Sequence, residues 1–146
     1  MFKLFKKKEP NPISNEWSNL TINQRMSVLN LIFSISIGDN GLEDSNKRVS
    51  ILNTYIGLLG VRSDQCMAYF TSEGYTKMVS DLIPLSQKQK EFLIIAAYEM
   101  ITRNGKAKDT ELIMTGNIFE QIGIDAERFM ATIEKAVALT NYFSKV

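Results

Sequence analysis

From Leu20 onward, apolar residues fall three and four positions apart, the spacing that gathers side chains along one side of an α-helix. Ile22, Met26, Leu29, Ile32, Phe33 and Ile37 form the first such stripe. Thr21 and Gln24 at its head match a capping box, in which each residue satisfies a free N–H of the first turn. Gly38-Asp39-Asn40-Gly41 closes it, because Asn and Gly tolerate the backbone conformation that leaves a helix. A second helix opens at Asp44 or Ser45 and carries Val49, Leu52, Tyr55, Ile56 and Leu59 inward as far as Gly60. Ser63 or Asp64 caps a short third helix through Cys66, Met67 and Phe70. A fourth runs from about Gly74 with Tyr75, Met78, Val79 and Leu82 in register, until Pro84 stops it.

The same order then begins again. Ser86 and Gln89 repeat the capping box, and Phe92, Leu93, Ala96, Ala97, Met100 and Ile101 give another stripe. Asn104-Gly105 ends this helix 64 positions after Asn40-Gly41. Asp109 caps the next helix, through Leu112, Ile113, Phe119 and Ile122, and Gly123-Ile124 ends it 63 positions after Gly60-Val61. Asp125 caps a last helix bearing Phe129, Ile133, Ala136, Val137 and Thr140. The pattern predicts an all-α fold of about seven helices, a single bundle built from two pseudo-repeated halves, roughly 20–83 and 85–143. Each half is led by a long central helix, and neither buries its apolar faces alone.

Ahead of the helices, residues 1–12 are too short, too charged and too rich in proline to pack, and read as a flexible basic arm. Residues 13–146 form the domain, with Ile13 to Asn19, including Trp17, as a lead-in turn. At 146 residues, 45% hydrophobic and 23% charged, the chain is the size and mix of one globular domain. Four Lys against one Glu give the first ten residues +3 of the overall +1, which leaves −2 for the rest. A near-neutral body lacks the basic face that nucleic acid requires, so no nucleic-acid partner is expected. The arm carries no apolar stretch of the kind a signal peptide needs, and no apolar run approaches the ~20 residues of a membrane span. Cys66 is the only cysteine, which fits a reducing compartment, and the expected location is cytoplasmic.

The chain contains no histidine. The commonest general base, the commonest transition-metal ligand and the usual partner of a Ser or Cys nucleophile are therefore missing. No nucleophile elbow, phosphate loop or dinucleotide fingerprint is present either, so the expectation is a protein that is not an enzyme and takes no organic cofactor.

At its turns the sequence resembles the TerB-like (tellurite-resistance-associated) helical domains. Members carry a long helix ending in Asp-Gly, then a small or apolar residue, a capping residue and a Glu that opens the next helix, which ends in a Leu-Gly-apolar turn. Asn104-Gly105-Lys106-Ala107-Lys108-Asp109-Thr110-Glu111-Leu112 and Ile122-Gly123-Ile124 follow that pattern in the second half. Asp39-Asn40-Gly41-Leu42-Glu43-Asp44 and Leu59-Gly60-Val61 follow it in the first. The resemblance covers residues 20–140. Asn104 replaces the usual Asp, and Asn46 and Lys47 stand near where the first-half Glu would fall. The resemblance implies a helical binding or scaffolding module of the bacterial cytoplasm, tied to stress-response or envelope-associated systems, with a protein partner. A homodimer is among its open states.

The residues suggest three sites, each with a plainer reading beside it. Asp39, Glu43, Asp44, Asp109 and Glu111 offer oxygen ligands for a divalent cation if the two turns meet; the same residues also suit helix starts, where carboxylates complement the dipole. Phe2, Lys3, Leu4, Phe5, Lys6, Lys7 and Lys8 alternate apolar and basic character and suit weak peripheral contact with an anionic membrane; disorder is the alternative. Trp17, Tyr69, Phe70 and Tyr75, with Met26, Met67 and Met78, either line a groove for a partner helix or fill the core. Cys66 reads as a small buried hydrophobe. Glu91 and Glu99, eight residues apart on one helix, read as surface carboxylates rather than as an acid–base pair.

Overall fold

A computed structural model describes residues 19–38 and 45–144. They form six helices: α1 (Ile22–Gly38), α2 (Ser45–Leu59), α3 (Ser63–Leu82), α4 (Gln87–Ile101), α5 (Asp109–Gln121) and α6 (Ala126–Ser144). Among the described residues there is no strand, and no helix is long and apolar enough to cross a membrane.

Both capping boxes form as the sequence predicts. Thr21 Oγ1 accepts from Gln24 N–H at 3.1 Å, and Gln24 Oε1 accepts from Thr21 N–H at 3.0 Å. Ser86 and Gln89 make the same exchange at 3.1 and 2.9 Å. At α6, Asp125 Oδ1 accepts from Arg128 N–H at 2.8 Å. Two starts differ from expectation. Lys108, not Asp109, is the N-cap of α5; Glu111 Oε1 accepts from Lys108 N–H at 2.8 Å, so the box is closed by its glutamate and Asp109 becomes the first helical residue. Arg62, not Ser63 or Asp64, precedes α3, and its side chain makes a 2.7 Å ion pair with Asp64 on the surface.

The third and fourth helices of the sequence pattern run as one element, α3, bent at Gly74, where φ is 83° and ψ 179°. Glycine admits that conformation, which breaks the helix locally but leaves the two segments joined. Six helices therefore stand where the apolar stripes suggested seven.

The exits of α2 and α5 use glycine in the left-handed region, at φ 67° for Gly60 and 98° for Gly123. In each, the N–H of the next residue reaches five residues back: Val61 to the Ile56 carbonyl at 3.3 Å and Ile124 to the Phe119 carbonyl at 2.9 Å. This is the Schellman arrangement, with an apolar residue folded under the last turn. Val61 and Ile124 are both buried.

The core sits around α1 and α4. Both pack against each other; α1 also packs on α3 and α2, and α4 on α6 and α5. Their ends are tied in matching order. Gln89 at the start of α4 donates to Asn19 Oδ1 beside the start of α1 at 3.1 Å. Arg103, just past the end of α4, donates to the Ser36 carbonyl near the end of α1 at 3.1 Å. The two helices thus run side by side in the same direction.

Burial on α1 is not the single stripe that spacing suggested. Val28, Leu31, Ile32 and Ile35 are buried together with Ser27, Asn30 and Ser36, whereas Ile22, Phe33 and Ile37 are exposed. A helix enclosed by three neighbours has no solvent face along its middle, so the apolar period fades there. On α4 the same enclosure buries Ile94, which falls outside the expected stripe, along with Leu93, Ala96, Ala97 and Met100. Val49, Met67, Tyr75 and Ile113, expected inside, are exposed.

A buried polar hub fastens α3 to α1. Asp81, with a side chain only 8% exposed, accepts from Tyr69 Oη at 2.6 Å and Ser27 Oγ at 2.8 Å, and pairs with Lys77 at 3.0 Å. Burial pushes its carboxyl pKa upward, but the hydrogen bonds from Tyr69, Ser27 and Lys77 outweigh burial and hold it below the ordinary 3.8. The Tyr69 hydroxyl is pushed the other way, up to about 12, by burial and then by the Asp81 carboxylate.

Asp81→Ala would strand the buried Ser27 hydroxyl and the half-buried Tyr69 hydroxyl and cost about 2 kcal/mol, measured by urea unfolding. Because the folded carboxyl titrates below its unfolded value, its contribution is complete above pH 3.8 and disappears as pH falls through the lower, folded value. The wild type should therefore lose more stability than Asp81→Asn as pH falls below the ordinary carboxylate range. Gly123→Ala places a side chain at φ 98°, with its Cβ 3.2 Å from Lys90 Nζ, and should lower stability by about 1–2 kcal/mol. Gly57→Ala, on the exposed face of α2 with nothing within 4 Å, should raise it by about 0.5–1 kcal/mol. Thermal melts of the two variants test the opposite signs.

Candidate functional site

Among the exposed apolar residues, Phe33, Val49, Met67, Ile113 and Met130 fall in two grooves. The first lies between α1, α2 and the start of α3, has a volume of about 180 Å³, and is lined by Leu29, Phe33, Val49, Leu52, Asn53, Ile56, Ser63, Cys66 and Met67 among others. The second lies between α5 and α6, has a volume of about 290 Å³, and is lined by Leu112, Ile113, Gly116, Asn117, Glu120, Ala126, Phe129 and Met130.

Half of the first lining corresponds by position to the second, while Leu29, Asn30 and Phe33 of α1 have no counterpart there. Val49, Asn53, Ser63, Cys66 and Met67 of the first groove each have a counterpart 63 residues later in the second: Leu112, Gly116, Ala126, Phe129 and Met130. In both, an exposed methionine stands on the rim, Met67 at 60% and Met130 at 39% exposure. Methionine at such a place adapts its shape to whatever apolar surface covers it. The floors differ. Cys66 is fully buried in the first groove, and Asn30 Nδ2 donates to its carbonyl at 3.0 Å. The second has the Phe129 ring, stacked on Phe119 at 5.5 Å, with Gly116 giving the ring room against α5.

The helices that flank the grooves differ in charge, although exposed Asp64 stands beside the first groove as Glu127 stands beside the second. Helix α2 carries Lys47 and Arg48 and no acidic residue, whereas α5 carries Asp109, Glu111 and Glu120 and no basic one. On α6, exposed Glu127 and Glu134 lie one turn before and one turn after Met130.

The expected site residues are placed as follows. Asp39, Glu43 and Asp44 lie outside the described residues, as do Phe2, Lys3, Leu4, Phe5, Lys6, Lys7, Lys8 and Trp17. Asp109 is exposed at the start of α5, and Glu111 is buried with one carboxylate oxygen on the Lys108 N–H. Among the described residues, no three acidic or thiol side chains gather as a metal site would need. Of the expected groove residues, only Met67 lines one; Met26 and Met78 are buried in the core. Tyr69 faces Asp81, and Tyr75 Oη donates to Gln121 Oε1 at 3.2 Å. Glu91 pairs with Arg128 at 3.0 Å, and Glu99 accepts from the buried Tyr55 hydroxyl at 3.0 Å, so the two carboxylates serve different neighbours.

Lys90 was not among the residues the sequence singled out. It is buried, and burial holds its ammonium pKa below the ordinary 10.5. It reaches the exit turn of α5, where the helix carbonyls present the negative end of their dipole. Arg25 does the corresponding work in α1, donating to the Leu20 carbonyl at 3.1 Å and to the Leu59 carbonyl, at the exit of α2, at 3.5 Å. Arg25 and Lys90 both stand four residues after a capping-box residue, and that shared position was the available signal.

No family model, curated protein or solved structure matches this chain.

The Cys66 thiol is pushed up to about 11, by burial and then by the Asp64 carboxylate. At neutral pH it should react with a disulfide reagent at least tenfold more slowly than the same thiol in the urea-unfolded chain. Equal rates in the two states would show that the first groove opens down to its floor.

Proposed function

We propose that this chain is a non-enzymatic, TerB-like binding or scaffolding module of the bacterial cytoplasm, built from two related halves, and that it grips a protein partner through its two apolar grooves. The observation that carries this reading is the correspondence of half of the first groove's lining to the second at a constant offset of 63 residues. A duplication that preserves core positions explains itself by stability. A duplication that preserves exposed apolar rims needs a further reason, and apolar patches left open on a helical surface are characteristic of binding sites.

The relation between the halves is supported by three further pairs. Thr21 and Gln24 stand to Ser86 and Gln89 at an offset of 65. Arg25 stands to Lys90 at the same offset, each reaching the exit of the helix that follows. Gly60-Val61 stands to Gly123-Ile124 at 63. The absence of histidine from the whole sequence, with Glu91 and Glu99 engaged by Arg128 and Tyr55, supports a role in binding rather than turnover.

The test is capture of partners from the native cytoplasm by the full chain and by Met67→Lys and Met130→Lys. Both side chains are exposed, so the substitutions spare the core. A genuine partner should be lost at least tenfold with one variant or the other. Capture that survives both substitutions unchanged, in protein that still melts cooperatively, rules out the grooves as the binding surface.

A further inference from the structure

We propose that the cleft between α4 and the second half of α6 binds a small organic amine, whose ammonium group is held at Glu99 and Thr102 and whose apolar body lies against Ile95, Ala136 and Val137. The site is separate from the two apolar grooves and stands or falls independently of them.

The cleft comes from a difference between the halves. Helix α3 bends at Gly74; beyond the bend Met78 and Leu82 are buried, and Asp81 accepts from Ser27 of α1. Val137 stands 63 positions after Gly74, and α6 runs on to Ser144 without a glycine. Helix α6 packs less extensively on α4 than α3 does on α1. The space left open has a volume of about 390 Å³ and is lined by Ile95, Tyr98, Glu99, Thr102, Ala136, Val137 and Asn141. That volume falls in the range of small-molecule sites, roughly 300–1,000 Å³.

The lining has a direction. Glu91 pairs with Arg128 near the starts of α4 and α6, so the two helices run the same way. Ile95, Ala136 and Val137 make one end apolar, and Glu99, Thr102 and Asn141 make the other polar. Comparison of the halves shows both ends changing. At the offset of 65 that relates α1 to α4, Tyr98, Glu99 and Thr102 stand where the first half has Phe33, Ser34 and Ile37, and Ile95 stands where it has Asn30. At the offset of 63, Asn141 stands for buried Met78 and Ala136 for Glu73.

Hydrogen-bonding capacity selects the ligand. The Glu99 carboxylate only accepts; the buried Tyr55 hydroxyl donates to Oε1 at 3.0 Å, and among the described residues Oε2 has no partner. The Thr102 hydroxyl donates its hydrogen to the Tyr98 carbonyl at 2.8 Å, so towards a ligand it too is an acceptor. No lysine or arginine lines the cleft. Lys47 and Arg103 border Glu99 and Thr102 from the α2 side, where Arg103 donates to the Met100 and Ser36 carbonyls at 2.6 and 3.1 Å. Glu134 and Lys135 are exposed on α6 outside the lining. Two acceptors one turn apart, one of them charged, with the Tyr98 ring beside them, call for N–H donors that carry positive charge.

Phenethylamine, a cation at neutral pH, tests this on the full chain, with phenethyl alcohol and hydrocinnamate as neutral and anionic molecules of similar shape. Followed by methyl NMR, the amine should shift Ile95 and Val137 saturably while Val49 and Ile113 of the grooves stay in place. The alcohol should bind about tenfold more weakly, and the anion should not bind. Glu99→Gln, which still accepts from Tyr55, should weaken the amine about tenfold and leave the alcohol unchanged.

Shifts at Val49 or Ile113 in place of Ile95 and Val137 overturn the proposal, as does equal binding of amine and alcohol or no saturation at millimolar concentrations. Amine binding that survives Glu99→Gln at full strength, in protein with an unchanged melt, overturns it as well. Should Glu99→Gln fail to fold, the three probes on the wild type still decide.

Discussion

Two parallel helices that cover each other's apolar residues hold this molecule together. Helices α1 and α4 lie against each other in the same direction, joined at one end by Gln89 and Asn19 and at the other by Arg103 and Ser36. Between those ties Val28, Leu31, Ile32, Ile35, Leu93, Ile94, Ala96 and Met100 are almost completely buried. Each helix takes cover from its own followers, α2 and α3 for α1, α5 and α6 for α4, and from the other lead helix. Removing either half would uncover a stripe of large apolar side chains on the other, at roughly 25 cal/mol for every Å².

The remaining polar interactions orient elements around that pair. Asp81 draws Tyr69, Lys77 and Ser27 onto one carboxylate, which fixes α3 on α1 across its bend at Gly74. Tyr55 reaches Glu99 and joins α2 to α4, while Arg128 reaches Glu91 and joins α6 to α4. The helix exits at Gly60 and Gly123 fold Val61 and Ile124 inward and return the chain towards the core. The consequence for function is geometric: the outer helices α2, α5 and α6 spend one face on the core and leave apolar residues on another, where the grooves form.

What was legible in the sequence was local. The capping boxes at Thr21 and Ser86 and the glycine exits at Gly60 and Gly123 depend on residues within one turn of each other, and they formed as read. Enclosure was not legible, because α1 is buried on several sides and its pattern then says little about which residues face a neighbour. Gly74 marked a break between two helical stretches as read, and the stretches stay joined there as one bent element. The grooves were hidden because Val49, Met67 and Ile113 keep helical register with core residues and differ only in having nothing packed above them. The Asp81 hub joins groups far apart in the chain, and Lys90 is buried by a turn more than thirty positions away, so neither left a local mark. Of the acidic turns, Glu111 shows why a glutamate suits that place: it closes the cap of α5.

Native-state amide hydrogen exchange tests the shared core most directly. If α1 and α4 are each other's cover, the central amides of both should exchange only through one global opening, with a single free energy and the same dependence on denaturant. Protection that persists in α4, α5 and α6 after α1 has exchanged would show that one half stands without the other, and would contradict this account.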